Sequence, residues 1–353
     1  MQTVERISKN IHPILDDIDQ FYAIASEHAE KTLFPQVFDK SFQELVDAFY
    51  AYGNEEYNIN FADIDYPKLD LPKYDSNDII LAFSGGKDSI ASAILYKEMG
   101  KNVHLFHMKH VNMSFSDEWE CAQRCADFLE LPLYIDDIKF KGHHVWMEHP
   151  MKNMMIANGA LSWGIREGIG TNIAFGNYRS SYLDSNPFEK CAGDCIDMWE
   201  NYEDIIHRII PDFKVDVQLE HLGHTLDVIT KPEYRTALEN SLSCMCRHSL
   251  RQYRHDWVKS KFGVDLLPYR CGSCFKCCVE YIYMADHDLI EFNEDYYKYC
   301  LSQLFKVAVS ENHRVFRMQY LWATFMFYPI EQSKLYDQFN NVTMLLSEMR
   351  WEK

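Results

Sequence analysis

The spacing of apolar positions changes near residue 78, and that change divides the chain. Upstream, Ile7, Ile11, Leu15, Ile18, Phe21 and Tyr22 recur at helical intervals. An aromatic, acidic stretch runs from Phe49 to Tyr66, and DIDYPKLDLPKYDSND, with its two prolines, reads as a linker. Residues 1–75 are therefore expected to be a helical N-terminal extension. From there Ile79-Ile80-Leu81-Ala82-Phe83 is a continuous apolar run, as expected of a strand buried on both faces. Gly85 and Gly86 interrupt it. Ile90, Ala93 and Ile94 then share one helical face between Ser89 and Met99, and Gly100 closes that helix. The alternation continues through a strand at Val103–Met108, a helix marked by Trp119, Ala122, Ala126 and Leu129, and a strand at Leu133–Ile138. A helix marked by Met155, Ile156, Gly159, Ala160 and Trp163 leads to the strand Asn172–Phe175. Such alternation predicts an α/β fold with a parallel sheet and right-handed crossovers, which takes its ligands at the carboxyl ends of the strands.

Composition narrows the class. The chain has 353 residues, a length that suits about two domains or one large core with extensions. Lys plus Arg is 35 and Asp plus Glu is 53, a balance of 35 − 53 = −18. That excess of acid argues against nucleic acid as the main partner, because such affinity comes from neutralising phosphates. At 47% hydrophobic residues a sizeable core is expected. No apolar run approaches the ~18 residues of a membrane span. MQTVERISKNIHPILDD has no basic region followed by an apolar stretch, so no signal peptide is expected and the cytoplasm is the expected compartment.

The chemistry concentrates in two places. Phe83-Ser84-Gly85-Gly86-Lys87-Asp88-Ser89 lies between the buried strand and its helix. The two glycines let successive N–H groups face inward at the positive end of a helix dipole, which makes an anion nest. The Ser84 and Ser89 hydroxyls can bond phosphate oxygens, Lys87 adds charge, and Asp88 can organise the loop or hold Mg²⁺. The second place is the cysteines, eleven in all, which a cytoplasmic chain would not pair as disulfides. Cys271, Cys274 and Cys277 form C-x₂-C-x₂-C, and Ser243-Cys244-Met245-Cys246 offers two candidates for a fourth ligand. Four thiolates suit a closed, structural zinc site. An iron–sulfur cluster is the rival, although the bacterial ferredoxin run is missing.

The string SGGKDS resembles the pyrophosphate (PP) loop of the N-type ATP pyrophosphatases, which cut ATP between its α and β phosphates. Together with the late four-cysteine site, expected on Cys244, Cys271, Cys274 and Cys277, it is similar to the 7-cyano-7-deazaguanine synthase family. The likeness covers about 79–280. Four looser stretches accompany it: Glu148-His149-Pro150-Met151-Lys152-Asn153, with Lys152 where arginine is usual; Phe175-Gly176-Asn177; Gly193-Asp194-Cys195; and Thr230-Lys231-Pro232-Glu233. Thr230 and Glu233 also fit a capping box at a helix start. One stretch departs from the family, where Asn177-Tyr178-Arg179-Ser180-Ser181-Tyr182 replaces a serine-glycine-tyrosine segment.

The resemblance implies a Rossmann-like (HUP-type) sheet with helices on both faces over 76–240 and a zinc-stapled segment at 241–285, and outside the likeness the residues themselves suggest a helical C-terminal extension at 286–353. Phe316, Tyr320, Leu321, Phe325 and Phe327 in that extension suit core packing or a homodimer contact. It implies that ATP is bound by Ser84, Gly85, Gly86, Lys87, Asp88 and Ser89, with Mg²⁺ and Zn²⁺ as the metals. Lys87, Asp88 and Lys152 would be catalytic, and Asn153, Gly176, Asn177 and Asp194 would bind substrate; Arg179, in the departing stretch, is a further substrate-binding candidate by its charge. The implied activity is adenylation of a 7-deazaguanine carboxylate with release of pyrophosphate. The acyl group would then pass to ammonia, giving an amide and then a nitrile, or to an amine of a partner protein, as in anti-phage relatives. Two alternatives stand beside it. One is sulfur insertion into tRNA or DNA, with Cys191 or Cys195 carrying a persulfide. The other is an inactive nucleotide-binding scaffold subunit.

Overall fold

The structure is a computed structural model that describes residues 3–6, 9–28, 65–110, 118–141, 149–178, 196–211, 213–219, 222–242, 244, 246 and 248–308. Among these, six strands form one sheet: β1 (Thr3–Arg6), β2 (Asp78–Ala82), β3 (Asn102–His110), β4 (Leu133–Lys141), β5 (Ile173–Tyr178) and β6 (Val215–Leu219). Their order is β1-β4-β3-β2-β5-β6. Strands β2 to β6 are parallel, and β1 lies antiparallel on the β4 edge.

Helices cover both faces, because the strands are apolar on both. Ile79, Leu81 and Phe83 point into one core together with Val103 and Leu105. That core is closed by α2 (Lys87–Glu98), α3 (Glu118–Leu129), α6 (Leu222–Ile229) and α7 (Arg235–Asn240), with the C-terminal helices behind them. Those are α8 (His248–Phe262), α9 (Phe275–Asp286) and α10 (Glu294–Ala308). Ile80, Ala82, Phe106 and Met108 point the other way, into a core shared with α1 (Pro13–His28), α4 (His149–Arg166) and α5 (Ile196–Ile206). Burial of this many aliphatic side chains at ~1.5–3 kcal/mol each is what holds the layers together.

Ile14, Leu15, Ile18 and Phe21 of α1 are fully buried in the second core. The Asn158 amide donates to the Leu15 carbonyl and to Asp19, at 3.1 and 2.8 Å. The helical part of the N-terminal segment therefore packs against α4 and into the core it shares with the sheet, and β1 adds a strand that the hydrophobic pattern did not announce.

The chain first builds outward from β2 through β3 to β4, then returns to lay β5 and β6 on the other side of β2. The order of construction reverses between β2 and β5, and at such a switch point the loops leaving the carboxyl ends diverge into a crevice. SGGKDS leaves β2 and Gly176-Asn177 end β5, so both border that crevice.

The expected capping box does not form. Lys231, not Thr230, precedes the short 3₁₀ turn Pro232–Tyr234, and it makes no side-chain cap bond. The Thr230 hydroxyl instead donates back to the Leu226 carbonyl at 2.6 Å, at the end of α6. Lys231 pairs with Glu98 at 3.0 Å, which puts the Thr230–Glu233 stretch beside the last residue of α2, the end away from the glycine loop.

Candidate functional site

Gly85 adopts φ +70°, and a Cβ there would lie 2.7 Å from the Ala122 nitrogen and 2.9 Å from the Cys121 carbonyl carbon. Only glycine fits both the backbone conformation and the approach of α3. Gly86 is extended and caps α2, so the amides of the following turn point out of the helix with no intrahelical acceptor. The loop is held from within: Gly86 N–H donates to Ser84 Oγ at 3.2 Å, and Ser89 Oγ donates to the Gly86 carbonyl at 3.0 Å. It is held from behind by His107, whose Nδ1 lies 2.8 Å from the Phe83 carbonyl. A carbonyl can only accept, so that nitrogen carries the proton.

Lys87 is 3% exposed, and its ammonium grips both Asp88 oxygens at 2.6 and 2.8 Å. Burial pushes the Lys87 amine below the usual lysine value, and Asp88 opposes that shift. The Asp88 carboxylate supplies the counter-charge to this buried cation.

Gly176 closes the other wall. A Cβ on it would stand 2.8 Å from the Asp88 carbonyl carbon and the Ser89 nitrogen, so β5 lies directly on the loop backbone. Next to it Asn177 is 6% exposed, and its Nδ2 has no hydrogen-bond partner among the described residues. An unsatisfied buried amide costs about 1–3 kcal/mol, which a ligand acceptor would recover. Asn153 is buried on α4, where Lys152 precedes it. Arg179, Asp194, Cys191 and Cys195 lie outside the described residues.

The cysteine group lies against the same loop. The sulfurs of Cys244, Cys271, Cys274 and Cys277 all fall within 4.8 Å of one another. The separations Cys244–Cys274, Cys271–Cys277 and Cys274–Cys277 are 4.0, 3.9 and 3.5 Å. A tetrahedral ion with Zn–S bonds of ~2.3 Å spreads its sulfurs to ~3.8 Å, so the donor set fits zinc. Backbone N–H groups of Ser273 and Cys274 donate to Cys271 Sγ at 3.3 and 3.2 Å, and Cys246 N–H donates to Cys244 Sγ at 3.3 Å. Such bonds favour thiolates. Hydrogen bonding from neighbouring sulfurs, Cys244 first, drives Cys271 down, while Cys244 likewise drives Cys246 and Cys277 up. Without a cation the group cannot hold all its charges.

Cys246, the other sequence candidate for the fourth ligand, sits 3.5 Å from Cys271 Sγ and accepts a bond from Arg254 at 3.3 Å. It lies beside the four-sulfur group rather than within it.

Sequence reasoning missed the device that fastens this segment to the loop. Leu242 N–H donates to the Gly85 carbonyl at 3.0 Å. Arg270, 3% exposed, holds the neighbouring Ser241 through its carbonyl and through Oγ at 2.7 Å, and pairs with buried Glu280 at 2.7 Å. These partners are far apart in sequence, so no local pattern announces them.

No protein-family model matches the chain, and no curated protein matches it. A solved structure of a predicted subunit of tRNA methyltransferase from Methanocaldococcus jannaschii aligns over 46% of this chain and 74% of its own, at 17% identity and a TM-score of 0.25. A superposition that loose says nothing about chemistry. No helix among the described residues is long and apolar enough to cross a membrane.

Proposed function

We propose that this protein is an ATP-dependent carbon–nitrogen ligase, which adenylates a 7-deazaguanine carboxylate and passes the acyl group to an amine. One observation carries the reading: the loop Ser84–Ser89 lies at the reversal point of the sheet, with buried Lys87 and outward amides against the floor made by Gly176. That is a site for the tail of a triphosphate.

In this reading the substrate carboxylate oxygen attacks the α-phosphorus of ATP. The α–β phosphoanhydride bond breaks, and pyrophosphate leaves with the electron pair. The amine then attacks the acyl carbon, loses a proton, and AMP departs to leave an amide. The loop amides, Ser84, Ser89 and Lys87 bind the departing pyrophosphate and offset its charge. Asp88 orients Lys87 and is the residue that would hold Mg²⁺, which when bound withdraws charge from the phosphates. Lys152 and Arg179 would be further counter-charges. Asn153, Asn177 and Asp194 would position the heterocycle, Asn177 through an amide that has no partner among the described residues. Zinc on Cys244, Cys271, Cys274 and Cys277 would be structural, since four thiolates leave no open position. The acyl acceptor is ammonia or an amine of a partner protein.

Mass spectrometry after incubation with ATP, a 7-deazaguanine carboxylate and either ammonium or a co-encoded protein tests the proposal. AMP together with an amide, or a partner heavier by the acyl group, is the expected result. A thiolated nucleic acid under sulfur-donor conditions, with no amide, would replace this reading with sulfur transfer.

A further inference from the structure

The peptide unit between Gly85 and Gly86 is held from outside the loop. A trans peptide carries its carbonyl and its N–H on opposite sides of one plane, so fixing the first aims the second. The Gly85 carbonyl accepts from Leu242 N–H at 3.0 Å and from the Cys121 thiol at 3.4 Å. On the other side the Gly86 N–H turns inward, to Ser84 Oγ at 3.2 Å. With a glycine at each end, this is the peptide of the loop that turns over most easily. Half a turn would carry Gly86 from φ −77° to −77 + 180 = +103° at ψ 159°, a region open to glycine and closed to other residues. The flipped unit would point a carbonyl oxygen inward in place of an N–H, and a phosphate would be repelled.

Arg270 steadies the strand that prevents this. Its guanidinium, 3% exposed, donates to the Ser241 carbonyl, to Ser241 Oγ at 2.7 Å and to the Leu238 carbonyl at 3.3 Å, while Glu280 on α9 holds its Nε at 2.7 Å. The Cys121 thiol, 2.9 Å from the Asn240 carbonyl, bridges the same strand to the loop. All these bonds fall on Leu238–Ser241, directly before the amide that grips Gly85. Stability alone does not account for the ion pair, because packed apolar side chains in place of a buried pair are often neutral or better. An apolar pair would leave the Ser241 carbonyl unheld. We infer that Arg270 is a positioning residue: acting through Ser241 and Leu242, it keeps the Gly85–Gly86 peptide from turning over, and so keeps the loop able to take a phosphate chain. The inference rests on reading Ser84–Ser89 as a triphosphate-binding loop.

The test is calorimetric titration of the zinc-loaded full chain with inorganic pyrophosphate. Arg270→Met alone would strand the buried Glu280 carboxylate, so it is paired with Glu280→Leu. The paired variant is expected to keep wild-type zinc content and to melt within a few degrees of wild type. It should bind pyrophosphate about tenfold more weakly, the factor reached when about nine chains in ten carry the flipped peptide. Gly86→Ala supplies the second arm, because alanine fits φ −77° and is excluded at +103°, and its Cβ would meet only the Ser84 hydroxyl closely, at 3.2 Å. Within the Gly86→Ala background the paired substitution should weaken binding by less than about twofold. Wild-type affinity in the paired variant, or an equal tenfold loss in the Gly86→Ala background, would overturn the inference and leave the loop reading standing. Loss of zinc together with affinity would also overturn it, since the effect would then run through the metal site. If the wild-type chain binds no pyrophosphate, the loop reading itself fails and takes the inference with it.

Discussion

Replacing Gly176 by alanine should damage the site by a calculable displacement. The added Cβ would meet the Asp88 carbonyl carbon and Ser89 nitrogen at 2.8 Å, where ordinary contact begins at 3.4 Å, so the first turn of α2 must retreat by about 3.4 − 2.8 = 0.6 Å. The obstructing atoms are backbone and cannot rotate aside. Overpacking of this kind costs ~1–3 kcal/mol, which for a domain of this size lowers the melting temperature by roughly 2–10 °C. Misplacement by ~1 Å at a catalytic centre can cost ~100-fold, so a shift of this size should weaken pyrophosphate binding by about tenfold. Calorimetric titration alongside thermal melting gives both numbers. Gly100→Ala is the comparison: Gly100 has φ +75° and nothing within 4 Å of its missing Cβ, and it follows the far end of α2. It should lose ~1–2 kcal/mol to backbone strain and leave binding untouched. Wild-type affinity and melting in Gly176→Ala, or an equal loss of affinity in Gly100→Ala, would refute the reasoning.

Three further outcomes follow from the same geometry. Burial depresses the Lys87 amine, so the unfolded chain holds that proton to higher pH and the charged form disfavours folding at neutral pH. Lys87→Met should therefore melt no lower than wild type while losing pyrophosphate binding by ~100-fold, and a variant that still binds would contradict the role. Cys274→Ser should carry substoichiometric zinc and lose stability on the order of several kcal/mol; full zinc content by elemental analysis with unchanged melting would remove the metal site. Burial raises the Tyr281 and Tyr299 phenols to about 12 from 10.0. Stability from these raised groups is fully present below the unfolded value and is lost as pH climbs through the folded one. Urea midpoints should fall from about pH 10 to about pH 12, less steeply in Tyr281→Phe; identical slopes would exclude the tyrosine as a source.

The central strand, loop and helix were legible because Ile79–Phe83 is continuously apolar and is cut off by two glycines, a pattern set locally. The five later elements from β3 to β5 were legible from local apolar patterns of the same kind. Strand β1 was not, because Thr-Val-Glu-Arg is short and gains its conformation only by pairing with β4 at the sheet edge. The capping box was misread because a closer acceptor, the Leu226 carbonyl, takes the Thr230 hydroxyl. Spacing named three of the four sulfurs, but choosing Cys244 over Cys246 requires the fold, which gathers the Cys244 sulfur with those of Cys271, Cys274 and Cys277 within 4.8 Å. Arg270 and His107 act across long sequence separations on the backbone of the loop or its neighbours, and Glu280 holds Arg270 in place. Their burial and partners exist only once the layers close.

The central claim is that Ser84–Ser89 grips a polyphosphate. A crystal of the zinc-loaded chain grown with a non-hydrolysable ATP analogue tests it most directly. The account predicts terminal phosphate oxygens within hydrogen-bond distance of the loop amides and of Lys87, with the nucleotide entering between β2 and β5. An analogue bound elsewhere, or a crevice left empty at saturating nucleotide, would contradict it.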